Sequence, residues 1–387
     1  GCTSLPVQDG IRYADNYIVE IVDKDRTTYS IKEGTRVVNM EGCTNMVSID
    51  LPNSVTEINF KGCTNLASVT IPNSITSIRD NAFFGCTGLM SVTIPNSVKN
   101  IGSYAFNGCT GLTSIEIPNS VTSIGAYAFN NCTGLTSLNL PNSLTTTGYY
   151  TFHNCTGLTS ITIPNSMTNI GGDSFSGCTG LTSITIPESV TTIESSAFFG
   201  CTGLTSLTIP KSVQEISCAF WSTNITTLVI EGEEPFQLGK EEYIMGDVYY
   251  YEAFNDYGRV DLIVPPGCAE KFRNAEHWKD FRSIREKVID SDFSYVMDEE
   301  NNNAIIYGTS DKDATEVEIP STVENDGKVY AVTQIAANAF ANYDNLEQIL
   351  IPDDVTTVGN AAFEDCTSLE YVVLPAKIEE IGDKAFE

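Results

Sequence analysis

Cysteine recurs in this chain at positions 63, 86, 109, 132, 155, 178 and 201, six successive intervals of 23 residues. Pro72, Pro95, Pro118, Pro141, Pro164, Pro187 and Pro210 keep the same beat, and Cys43 precedes Cys63 by 20. A fixed period in this range marks a repeat array, in which a unit too short to build its own core buries its apolar side against its neighbours. The requirement removes most globular folds from consideration.

Residues 109–131 show how one unit works. Leu112, Ile115 and Ile117 alternate as the inward positions of a short strand. Pro118 ends it, because proline has no N–H to give to a ladder. Asn119 and Ser120 form a corner, and Val121 and Ile124 return as a second extended segment. Gly125 opens a turn, Ala128 and Phe129 plug the far side, and Cys132 closes the coil. Coils stacked at about 4.8 Å make a continuous core. Ile225, Leu228 and Ile230 repeat the spacing without the proline, and residues 253–265 form another degenerate turn with Tyr257 at the Cys position. Residues 268–281 read as an amphipathic helix, with Phe272, Ala275 and Trp278 on one face to cover the end of the first block. A second block resumes at Val317, with Tyr343 at a Cys position.

The pattern Leu-x-x-Ile-x-Ile-Pro-x-Ser-Val-x-x-Ile-Gly-x-x-Ala-Phe-x-x-Cys resembles the BspA-like class of bacterial leucine-rich repeats, and so do Val317 to Pro320, Val332 to Ile335, and Ala339 with Phe340. The resemblance covers nearly the whole chain. It implies a right-handed leucine-rich-repeat solenoid of the α/β horseshoe class, with a parallel sheet on its concave face and little helix. It also implies a secreted or surface location on host-associated bacteria and an adhesive role. The expected organisation is an N-terminal β-rich cap plus solenoid over 1–290, regular from about 43 to 210 and degenerate with a capping helix over 211–290. A second block, truncated at its C-terminus, spans 291–387.

Charge supports that division and narrows the function. The 387 residues carry 21 basic and 50 acidic groups, for −29. Residues 291–387 hold 4 of the basic and 21 of the acidic groups, or −17, as expected of a separate acidic unit. Nucleic-acid binding is disfavoured. No apolar run approaches the ~18 residues of a membrane span.

Twelve cysteines suggest disulfides, but the period argues for a reduced ladder of small hydrophobes. Every thiol of the column has the same surroundings, so no pairing is preferred. Cys2 reads equally as the lipid-bearing residue of a lipoprotein or as part of a repeat fragment like residues 365–369. The chain ends at Glu387, before the next Cys is due, and is read as part of a longer protein. His153 is expected on the solvated surface and His277 within the capping helix, leaving no catalytic or metal-ligating set. Acidic clusters at Asp23 and Asp25, Glu231 to Glu234, Asp298 to Glu300, and Asp311 and Asp313 lack a calcium loop's full spacing and read as solvated turns. No cofactor is expected.

The candidate binding face is formed by the outward strand positions. One column is Ser68, Ser91, Ser114, Ser137, Ser160, Ser183 and Ser206; the other is Thr70, Thr93, Glu116, Asn139, Thr162, Thr185 and Thr208. It is hydroxyl-rich, nearly uncharged and suited to weak or multivalent contact. Tyr249, Tyr250 and Tyr251 are minor candidates. The expected protein is a non-enzymatic monomer that binds host or bacterial surface proteins or glycans, the alternative being a structural stalk.

Overall fold

The computed structural model describes residues 5–244, 247–290 and 292–386, and for 240–251 the backbone alone. The chain forms two compact units, one of Gly1–Leu204, Ser212–Asn224 and Phe236–Asn255, the other of Thr205–Lys211, Ile225–Pro235 and Asp256–Glu387. The repeats are stacked coils of a parallel-strand solenoid, with almost no helix.

In the first unit an antiparallel three-stranded sheet (Val7–Gln8, Ile11–Ala14, Tyr17–Ile21) precedes the coils. Each coil contributes two short extended segments. In the main row, Ser68–Thr70 pairs in parallel with Ser91–Thr93, and Ser137–Asn139 with Ser160–Thr162. Equivalent positions pair, Val69 with Val92 and Leu138 with Ile161, so a 23-residue period becomes a column of identical environments. In the second row, Ser77–Ile78, Asn100–Ile101 and Ser123–Ile124 form one ladder. Asn169–Ile170, Thr192–Ile193, Glu215–Ile216 and Gln237–Leu238 form another. The ladders are interrupted: residues 114–116 form no strand, and Thr185 meets Thr162 only in a single bridge.

The interior is a set of one-residue columns. Phe60, Phe83, Phe106, Phe129, Phe152, Phe175, Phe198, Phe220 and Phe254 run through successive coils with ring centroids 4.9 to 5.6 Å apart. All are buried. Beside them Cys63 donates its S–H to the Met40 carbonyl, and Cys86, Cys109, Cys132, Cys155, Cys178 and Cys201 donate to the carbonyls of Phe60, Phe83, Phe106, Phe129, Phe152 and Phe175, at 3.0 to 3.2 Å. Each of these carbonyls also accepts the backbone N–H three residues on, as Phe106 does from Cys109 N at 3.1 Å. Cysteine thus fills a small apolar space and adds a second, weak donor. These thiols are free, and burial pushes those of Cys86, Cys155 and Cys201 up to about 12. The turn glycine has an equally local cause: a Cβ on Gly125 would lie 2.6 Å from the Ser103 amide nitrogen.

The second unit holds a parallel four-stranded sheet of Ser206–Ile209, Thr227–Ile230, Asp261–Val264 and Ser283–Glu286. It also holds a mixed seven-stranded sheet that begins with antiparallel Val288–Asp290, Phe293–Asp298 and Asn303–Thr309. That sheet continues in parallel through Lys328–Ile335, Thr357–Val358 and Glu380–Ile381. Glu316–Glu318, Gln348–Leu350 and Tyr371–Val373 form the other row of this block. Tyr343, at a Cys position, donates its hydroxyl to the Thr309 carbonyl at 2.7 Å, whereas Cys366 returns to the S–H bond, with Phe340.

The expected helix over 268–281 is shorter and broken. Ala269–Asn274 is helical, capped by the Glu286 carboxylate accepting from Gly267 N and Ala269 N. Ala275 is extended, and a 3₁₀ turn follows at Trp278–Asp280. The break brings Trp278 edge-on to Phe272 at 5.0 Å, a contact worth about 0.5–1.5 kcal/mol beyond burial.

Candidate functional site

The outward strand positions are best understood against hydroxyls elsewhere in the coil. Corner serines of the middle coils are used by the fold, Ser97 donating to the Ile75 carbonyl and Ser120 to the Val98 carbonyl, both at 2.7 Å, whereas Ser189 and Ser212 at the same corner are unpartnered. Thr136 and Thr159 likewise donate to the carbonyls of Thr113 and Thr136. On the strand face the situation reverses. Ser114, Ser137, Thr162 and Thr185 are exposed and, among the described residues, their side chains make no hydrogen bond within the chain; the same holds for Glu116 and Asn139. Val69, Val92, Leu138 and Ile161 between the columns are buried. Folding uses the inward residues and leaves the outward polar groups free.

The face is not uniform. Ser160 is half-buried, and Ser183, expected outward, is buried with its hydroxyl unpaired. Ser206 and Thr208 lie half-buried in the sheet of the second unit. Toward the N-terminus of the first unit the face deepens into a polar groove of about 600 Å³, lined by Thr28, Ser30, Ser48, Asp50, Ser68 and Thr70. Arg26 stands at this groove, 3.6 Å from Asp9.

The other singled-out residues are placed as follows. Tyr249, Tyr250 and Tyr251 lie on the backbone hairpin of Lys240–Ile244 and Asp247–Tyr251; their side chains, like Cys2, lie outside the described residues. His153 is half-buried rather than solvated, edge-on to Tyr150 at 5.4 Å with Nδ1 unpaired, and burial lowers its pKa. His277 lies outside the helix, before the 3₁₀ turn, at φ 65°. Among the described residues no group of three or more His, Cys, Asp or Glu side chains is placed to hold a metal ion. The Asp298 and Asp311 clusters are turns, Asp298 accepting from the backbone of Glu300 and Asn301 and Asp311 from that of Asp313, whereas Glu231 and Glu234 pair with Lys287 and Lys271.

One surface feature escaped the sequence reading. Tyr104, Tyr127 and Tyr150, 23 residues apart, stack with centroids 4.8 and 4.6 Å apart and interplanar angles of 3° and 4°. The signal was the cysteine period itself, applied to a residue type not followed along the chain.

Comparison with known proteins fits this geometry. No match is found among curated proteins. A leucine-rich repeat protein from Bacteroides ovatus shares 23% identity over 88% of this chain and 81% of its own, with a TM-score of 0.50. A T. pallidum leucine rich repeat protein shares 31% identity over 42% of this chain and 73% of its own, with a TM-score of 0.36. A leucine rich cell surface protein from Faecalibacterium prausnitzii shares 21% over 97% and 94%, with a TM-score of 0.35. The BspA type leucine rich repeat region matches residues 39–155, 122–236 and 333–387, with six copies. With well over half of its length matched, the chain belongs to the BspA-type leucine-rich repeat family.

Proposed function

We propose that this is a non-enzymatic binding protein of the cell surface or extracellular space, which engages surface proteins or glycans of host or bacterial cells through its strand face. In this reading the solenoid is right-handed and horseshoe-shaped, with that face concave. The repeat array over 1–290 and the acidic block over 291–387 act as separate parts of a monomer, and Cys2 carries a lipid if it is an anchor residue. The observation that carries the reading is the contrast between hydroxyls in the middle coils: corner serines such as Ser97 and Ser120 and edge threonines such as Thr159 are bonded into the coil, whereas Ser114, Ser137, Thr162 and Thr185 on the strand face are exposed and unbonded. Such a surface offers hydrogen bonds without large desolvated anchors, so affinity grows through many coils acting together. No helix among the described residues is long and apolar enough to cross a membrane.

The test is binding of the immobilised protein to a panel of matrix proteins and glycans, beside a variant with Asn139, Thr162 and Thr185 changed to Lys. Loss of a signal in the folded variant supports the strand face as the site. Silence of both across the panel favours a stalk without a ligand of its own.

A further inference from the structure

The tyrosine stack sits where the backbone disfavours tyrosine. In each coil one residue turns its amide toward the next coil: Asn81 N donates to Ser103 O, Tyr104 N to Ala126 O, Tyr127 N to Tyr149 O, Tyr150 N to Gly172 O, and Asp173 N to Ser195 O, at 3.0 to 3.2 Å. The bond needs a left-handed backbone, and φ at these five residues lies between 54° and 61°. Asn and Asp take that conformation with least strain, and bulky side chains with more. Asn81 and Asp173 follow the rule, whereas three coils in succession between them carry Tyr. Parallel stacking offsets part of the strain. The core gains nothing from it, since the phenylalanine column already fills the interior of the same coils. Tyr104 is 37% exposed and the neighbouring Tyr149 60%, with the Tyr149 ring lying against Gly172 where a Cβ would come within 3.0 Å.

The electrostatic setting selects a partner. From residue 100 to residue 210 the chain has no Lys or Arg. Asp173 lies close enough to Tyr150 to raise the pKa of its hydroxyl, and Glu194 accepts from Gly172 N at 2.9 Å. Asp80, at the other end, accepts from Ser103 N at 2.8 Å. A tyrosine patch bordered by carboxylates, within a stretch that has no Lys or Arg, attracts cations through ring quadrupoles and charge together. Tyrosine is also a residue type enriched at protein interfaces.

We propose that Tyr104, Tyr127, Tyr149 and Tyr150, with Asp173, form a second binding site, distinct from the strand face, for an arginine- or lysine-bearing segment of a partner polypeptide.

The test uses the whole chain and a labelled (Gly-Arg)₄ peptide, with the same peptide carrying citrulline for arginine as an uncharged control, followed by fluorescence anisotropy at physiological salt. A variant with Tyr104, Tyr127 and Tyr150 all changed to Asn puts a residue suited to the left-handed backbone in each place, and Asp173→Asn alone is a milder second variant. The expected result is binding of the arginine peptide, at least tenfold weaker in the triple variant and for citrulline, several-fold weaker in Asp173→Asn, and unchanged when Asn139, Thr162 and Thr185 become Lys. Equal affinity in the parent and both variants would overturn the proposal, since net charge alone would then account for binding. So would the absence of binding to the folded parent at millimolar peptide.

Discussion

The column of cysteines and the column of stacked tyrosines share one period and one set of coils, yet they obey different rules. At the interior position every coil from Cys63 to Cys201 carries the same residue, because each faces the same carbonyl and the same narrow space. At the left-handed edge position the residue changes from Asn81 to Tyr104, Tyr127 and Tyr150 and then to Asp173, although the backbone bond is the same in every coil. A uniform column is explained by folding. A column that varies against the local backbone preference calls for a selection other than folding.

The comparison can be broken by substitutions two residues apart in one coil. Phe129 lies between Phe106 at 5.2 Å and Phe152 at 5.5 Å, fully buried, so Phe129→Ala is expected to cost about 3–5 kcal/mol. Tyr127→Asn trades stacking for relief of strain and is expected to stay within about 1 kcal/mol of the parent. Thermal and urea unfolding of both variants check this, and equal losses would make the tyrosine column as structural as the phenylalanine one.

A smaller loss is expected from Cys132→Ala, which removes the S–H donor from the Phe106 carbonyl but leaves it the bond from Cys109 N, and costs about 1 kcal/mol. The same account predicts that Cys86, Cys155 and Cys201, with thiols pushed up to about 12, resist a thiol reagent at pH 8 in the native protein and react fully in denaturant. Rapid native labelling would contradict it.

The pH dependence sharpens the edge side of the comparison. Burial lowers the folded-state pKa of His153, so the folded chain binds fewer protons there than the unfolded chain. Its contribution to stability is therefore present above the unfolded value of about 6.5 and declines as pH falls through that value. Asp173, raised by burial, has the opposite sign and acts in the carboxylate range. His153→Asn is expected to flatten the stability profile between pH 7 and 5, read as melting temperature against pH. An unchanged slope would assign it to other groups.

Legibility followed geometry. The period exposed the strand, the corner, the phenylalanine plug and the column of cysteines, because each repeats with the coil. The reason for cysteine was hidden, since the acceptor lies 26 residues back, on a carbonyl no side-chain pattern reveals. The strand face was legible as alternation, but the burial of Ser183 was not, since the same spacing leaves Ser114 and Ser137 exposed. The helix break before Trp278 places its ring against both Phe272 and Phe281, a cluster no helical periodicity reveals. The tyrosine stack was missed because left-handed backbone leaves no trace in hydropathy.

The smallest effect on folding and the largest on function are expected at the strand face. The most direct measurement is a lysine scan of the coil 132–154, scored in parallel for thermal stability and for binding to whichever panel partner the parent recognises. Lysine at Cys132, Leu135, Leu138 or Phe152 is predicted to unfold the coil. At Ser137 or Asn139 it is predicted to leave stability within about 0.5 kcal/mol while abolishing binding. Full binding by folded variants at Ser137 and Asn139 would contradict the account.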